Sequence, residues 1–117
     1  MKLTRFVSSF RFAAQGIVTS VKREQNMKVH LLSAVIVALA GLWTGLDRLE
    51  WMLVIVLIGG MLALELINSA LERTVDLFTE ERHPLAKQAK DMAAGAVLVF
   101  AVTSAIIGLL IFLPKWF

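Results

Sequence analysis

Residues 51–76 read WMLVIVLIGGMLALELINSALERTVD, and their first fourteen positions carry no charge. An apolar run opened by tryptophan, an interfacial residue, is the start of a membrane-spanning helix. The second half has a different pattern. At roughly 100° per residue, Glu65, Asn68, Glu72 and Asp76 fall within a wedge of about 80° on one helix face. Three carboxylates and an amide therefore form one stripe. An acid held at bilayer depth costs about 2.5–3.5 kcal/mol on insertion scales, so something must offset the penalty, and a divalent cation would do so. Asp76 can also be read as a solvated residue where the helix leaves the membrane. Glu65, set in MLALELI, cannot easily be read that way.

The rest of the 117-residue chain extends this reading. Its 58% hydrophobic content and mean hydropathy of +0.76 exceed what one small water-soluble core can bury. The residues predict an all-α integral membrane protein of a single domain, 1–117. An N-terminal helical segment over 1–28 precedes spans at 29–46, 51–72 and 92–113. The polar stretch Asp47-Arg48-Leu49-Glu50 reads as the hairpin between the first two spans. Pro114 reads as the stop of the third, with Trp116 at the interface. Gly59-Gly60 reads as a close helix-packing site.

Lys and Arg number six in residues 1–28, one in 47–50, four in 73–90 and one at 115. The positive-inside rule then places the N-terminus and the 73–90 loop in the cytoplasm, with the C-terminus outside. The cations flank apolar spans rather than forming a soluble basic face, so the net charge of +3 does not point to nucleic acid. Phe10 to Gly16 is interrupted by Arg11 and Gln15. It therefore lacks the apolar core of a cleavable signal peptide, and the first segment is expected to remain in the mature chain.

Leu3, Phe6, Val7, Phe10, Ala14, Ile17, Val18 and Val21 repeat with helical period, while Lys2, Arg5, Arg11, Gln15, Lys22 and Arg23 occupy the other side. Such a helix suits the headgroup plane of an anionic membrane, and an ordinary bundle helix is the alternative. Glu24, with Asn26 and His30, stands where this helix meets the first span, either as a second acidic group for the stripe or as a headgroup-level charge. Ala86-Lys87-Gln88-Ala89-Lys90-Asp91 places a cation and an acid at the mouth of the last span, and lysine is a suitable point charge for phosphate.

Several chemistries are excluded. With no cysteine there is no thiolate nucleophile and no thiolate metal site. No Walker A, dinucleotide, zinc-protease or protein-kinase motif occurs. A sparse stripe of oxygen ligands suits Mg²⁺ shared with a nucleotide, since that ion takes one or two carboxylates plus phosphates. A proton or ion carrier using Glu65, Asn68 and Glu72 is the rival reading. It requires polar groups through the full membrane depth, whereas residues 51–64 offer only apolar side chains and glycines.

ALELINSALERTVDL followed by HPLAKQAKDMAAGAVL resembles the bacterial diacylglycerol kinase/undecaprenol kinase family of three-span lipid kinases. The resemblance covers essentially the whole chain, and the pairing of ExxNxxxExxxD with AKDM is its specific part. The REQNMKVH run, with its Glu-x-Asn-x-x-x-His spacing, is similar to the undecaprenol kinase branch. Ala13 and Ala94 depart from the diacylglycerol kinase branch, where serine is more usual.

The resemblance implies a homotrimer with active sites shared between subunits, and transfer of the ATP γ-phosphate to a membrane alcohol. Undecaprenol is the favoured acceptor and diacylglycerol the alternative. It also implies roles: Glu65 as general base, Asn68 positioning the reacting groups, and Glu24 and Glu72 holding Mg²⁺ on ATP. Lys90 would neutralise phosphate charge and Asp91 would orient its neighbours. Asp76, Glu81, His83, Arg5 and Phe12 correspond to further nucleotide-binding positions.

Overall fold

The computed structural model describes residues 2–117 and contains four helices: α1 (Lys2–Arg23), α2 (Gln25–Thr44), α3 (Arg48–Phe78) and α4 (Pro84–Trp116). α2, α3 and α4 are each long and apolar enough to cross a membrane, and only 11–22% of their most apolar windows is buried within the chain. Leu32, Leu39, Ile55, Val56, Val99 and Leu110 are all exposed. Such an apolar exterior is the arrangement expected of helices that face lipid.

α2, at 20 residues, is about 30 Å long and matches the hydrocarbon thickness, whereas α3 and α4 run to about 46 and 50 Å. Both long helices therefore project beyond one face of the bilayer, and their projecting ends carry residues 73–91. α3 packs most extensively on α4 and next on α2. Ser20 is the one buried residue of α1, so most of that helix stands clear of the bundle.

The apolar core lies at the other end. Val54, Ile111 and Phe112 are buried there against Val37, Ala40, Leu46, Trp51, Ile58 and Ile107. The same end is closed by polar links. Trp116 Nε1 donates to Thr44 Oγ1 at 2.8 Å, Lys115 pairs with Glu50 at 2.9 Å, and the rings of Phe112 and Trp116 lie 5.2 Å apart. α2 ends on Gly45, whose φ of +81° is left-handed backbone that glycine adopts without penalty.

The helix ends differ from the sequence reading at several points. Asp47 to Glu50 is not the hairpin but a helix start. Asp47 Oδ1 accepts from the Glu50 N–H at 2.9 Å, and Glu50 Oε1 accepts from the Asp47 N–H at 3.0 Å. This reciprocal capping box begins α3 at Arg48, three residues earlier than expected. The first segment breaks at Glu24 rather than after residue 28. Glu24 is extended (φ −104°, ψ 119°), and its carboxylate does not cap α2 but pairs with Arg73 of α3. α4 begins at Pro84, eight residues before the expected span, because proline is tolerated at the first helical position and His83 caps it. Pro114 does not stop α4, which continues to Trp116. In a last turn proline removes only one donor, and the Phe117 N–H still reaches the Leu113 carbonyl at 2.9 Å.

The two glycines of α3 separate in role. A Cβ on Gly60 would come within 2.5 Å of the Phe100 ring of α4, whereas one on Gly59 would meet nothing within 4 Å. Gly60→Ala is therefore expected to lower the thermal midpoint in detergent, at an overpacking cost of about 1–3 kcal/mol. Gly59→Ala should leave it unchanged or raise it, because alanine is the better helix former by about 1 kcal/mol. Matched thermal melts of the two variants check the contrast.

Candidate active site

The acidic stripe of α3 grades from buried to exposed. Glu65 and Asn68 are 2% and 5% exposed, Glu72 is half-buried and Asp76 is exposed. Ser69, one helical turn beyond Glu65, is buried on the same side, so the polar face of α3 is covered where it lies deepest. Asn68 Oδ1 is buried without a hydrogen-bond partner among the described residues, as is Ser20 Oγ of α1. A buried unpartnered acceptor carries a desolvation cost that a ligand or water can relieve.

Three contacts fasten other elements to this stripe. From α2, His30 Nε2 lies 3.5 Å from Glu65 Oε2, with the two side chains 20% and 3% exposed. From the α1–α2 junction, Glu24 Oε1 accepts from the Arg73 guanidinium at 2.8 Å. From α4, Lys90 Nζ donates to Asp76 Oδ1 at 2.6 Å. The hydrogen bond to Asp76 is the main cause holding the Lys90 pKa above the ordinary lysine value, with smaller contributions from the charges of Asp76, Glu72 and Glu80. A raised lysine pKa means that this tie is complete at neutral pH and is lost only as pH climbs through the elevated value. Glu72, whose charge reaches Lys90, makes no hydrogen bond or ion pair among the described residues.

The loop between α3 and α4 forms a polar basin of about 680 Å³ lined by Thr79 to Pro84 together with Ala86, Lys87, Lys90 and Asp91. It brings together Glu81, His83, Lys90 and Asp91. His83 Nδ1 accepts from the Leu85 N–H at 3.2 Å as the cap of α4, and Thr79 Oγ1 accepts from the Glu81 N–H at 3.1 Å. Asp91 pairs with Lys87 at 2.6 Å, one turn away on the same helix, and this bond is the main cause raising the Lys87 pKa. Arg5 and Phe12 are not brought to the stripe. Both are exposed on α1, where the Arg11 guanidinium lies 5.1 Å from the Phe12 ring centroid.

A second cavity lies within the spans. It is an apolar groove of about 630 Å³ between α2, α3 and α4, running from Val29 and His30 past Val37, Val54 and Ile58 to Phe112 and Trp116. Ser33 and Ser104 are its hydroxyls, and Ser104 Oγ is buried without a partner among the described residues. Among the described residues His30 is the one ionisable side chain lining it, and it sits at the end next to Glu65. The arrangement thus has three parts: an apolar groove, a buried carboxylate at its end, and a charged basin where α3 and α4 emerge.

Among the described residues no three His, Asp or Glu side chains converge as a ready metal cage. The donors present are nonetheless hard oxygens. Glu24 and Glu72 fit an ion that takes one or two carboxylates and completes its shell with phosphate and water. Arg73, the partner of Glu24, carried no signal in the sequence, because 49 residues separate the two. The His30–Glu65 contact was equally invisible, because 35 residues separate those two.

Comparison with known proteins identifies the family. Residues 11–112 match the family described as prokaryotic diacylglycerol kinase. The chain is 54% identical to undecaprenol kinase of Bacillus subtilis over 114 residues, covering 97% of this chain and 93% of that one. It is 36% identical to diacylglycerol kinase of Synechocystis over 107 residues, 91% of this chain and 61% of that longer one. Against diacylglycerol kinase of Escherichia coli K12 the identity is 27% over 103 residues, 88% of this chain and 84% of the other. With its three apolar spans and a match over most of its length, the chain belongs to the prokaryotic diacylglycerol kinase family.

Proposed function

We propose that the chain transfers the γ-phosphate of ATP to the hydroxyl of undecaprenol, giving undecaprenyl phosphate at the cytoplasmic face of the bacterial cell membrane. The observation that carries this reading is the position of Glu65. It is a carboxylate 2% exposed, next to His30 at the end of an apolar groove, with the polar basin beyond it on the projecting ends of α3 and α4. A long isoprenoid chain is at home in the groove and a triphosphate in the basin, so the two substrates approach from different phases. The 54% identity to an undecaprenol kinase supports the choice of alcohol. The diacylglycerol kinases at 27–36% support diacylglycerol as the second acceptor.

In this reading Glu65 accepts the hydroxyl proton as the oxygen attacks the γ-phosphorus, and Asn68 orients that carboxylate or the reacting oxygen. Glu24, which here pairs with Arg73, and Glu72 would hold Mg²⁺. The metal supplies charge neutralisation on the phosphate oxygens. Lys90 adds a second positive charge, kept in place by Asp76, and Asp91, Glu81 and His83 frame the nucleotide basin. The N-terminus and the 73–90 loop lie on the cytoplasmic side, where ATP is available. A homotrimer, in which neighbouring subunits complete each site, would supply the partner that Asn68 Oδ1 lacks and bring Arg5 and Phe12 of α1 to a nucleotide.

The test is a two-alcohol assay. Protein reconstituted in lipid with Mg²⁺ and γ-labelled ATP is expected to phosphorylate undecaprenol in preference to diacylglycerol. Transfer to diacylglycerol alone would reverse the choice of acceptor.

A further inference from the structure

Among the described residues, His30 alone both lines the apolar groove and makes a polar contact with Glu65. Its Nε2 lies 3.5 Å from Oε2 of that buried carboxylate. The imidazole is itself mostly covered, with 20% of its side chain exposed. A separation of 3.5 Å is long for a hydrogen bond, but a closing movement of about half an ångström makes a good one. Catalytic hydrogen bonds are commonly long before substrate binds and shorten in the reactive complex.

Glu65 has no other polar side-chain partner among the described residues. A carboxylate on a two-carbon stem can present either oxygen in several rotamers, so a base at this position needs a second group to choose one. We propose that His30 is the positioning residue of Glu65. With its proton on Nε2, it donates to Oε2, and Oε1 is turned toward the alcohol at the end of the groove.

This assignment rests on the kinase reading above. In the step it serves, the alcohol oxygen forms a bond to the γ-phosphorus and the bond from that phosphorus to the bridging oxygen of ADP breaks. ADP departs with the bonding electron pair, and the hydroxyl proton passes to Oε1 of Glu65. His30 gives up no proton and touches no phosphate. Its hydrogen bond to Oε2 keeps the carboxylate in line throughout. Because the imidazole also lines the groove, it stands beside the head of whatever alcohol the groove admits.

The experiment compares the full-length protein, His30→Leu and His30→Gln in bilayers containing undecaprenol, with a parallel set containing diacylglycerol. Glutamine carries an amide N–H near the place of Nε2 and leucine carries none. Loss of orientation without loss of binding predicts that His30→Leu lowers kcat by about 10- to 100-fold while the KM values for ATP and alcohol change by less than about threefold. His30→Gln is expected to recover most of that kcat. If the leucine variant fails to bind nucleotide, His30→Asn takes its place, because its amide is one bond shorter and cannot reach Oε2. It should then show the same kcat loss relative to glutamine. An unchanged kcat in His30→Leu, a loss confined to KM, or equal losses in the leucine and glutamine variants would each overturn the assignment. Failure of the kinase reading would look different, since the wild-type protein would then phosphorylate neither alcohol.

Discussion

Glu65→Gln is expected to lower kcat by about 10²–10⁴-fold, the range of a positioned general base, while leaving the KM for ATP nearly unchanged. The amide keeps the size and polarity of the side chain but cannot take up the alcohol proton at the pH of the assay. Its site is 2% exposed and distinct from the basin lined by Lys90 and Asp91, so the groups proposed to bind nucleotide are undisturbed. The substitution also conserves the volume of the side chain at a buried position, so the protein should fold much as the parent does. A steady-state titration in both substrates, with a thermal melt as control, separates the two effects. Normal turnover in this variant would remove Glu65 from the role of base.

Glu72→Gln should act on the other substrate. Glu72 is half-buried, has no ion pair among the described residues, and lies close enough to Lys90 for its charge to raise the lysine pKa. If it supplies a carboxylate to the nucleotide-bound Mg²⁺, losing that charge weakens nucleotide binding by about 10- to 100-fold, the equivalent of one charged interaction of 1.5–3 kcal/mol. The loss should shrink as Mg²⁺ is raised. Asp76→Asn makes the useful contrast. Asp76 is exposed and already bonded to Lys90, so its replacement loosens the link between α3 and α4 without removing a metal ligand. Nucleotide titrations at several Mg²⁺ concentrations distinguish these cases, and a Glu72→Gln curve that overlays the parent would contradict the metal role.

The three-span architecture and the polar stripe were both legible in the residues, for different physical reasons. The spans are written in composition, since uncharged runs such as 51–64 have no stable place in water. The stripe is written in periodicity, since 65, 68, 72 and 76 share a face in any α-helix, whatever surrounds it. The same local logic identified Gly60 but could not separate it from Gly59. Only the Phe100 ring of α4 distinguishes the two positions. The start of α3 was also locally encoded, in the Asp-x-x-Glu spacing of its capping box, although the polar character of residues 47–50 suggested a loop.

The sequence by itself determined the solvent of this protein, the number of its apolar helices, and the face on which its acids lie. Each of these follows from side-chain chemistry and helical period within one segment. The tertiary structure decided which groups those acids meet: His30 on Glu65, Arg73 on Glu24 and Lys90 on Asp76, contacts that span 35, 49 and 14 residues of chain. It also opened the apolar groove that ends at His30. No periodicity carries such information, because the partner of a buried charge is chosen by how separate helices pack and not by the spacing along either one.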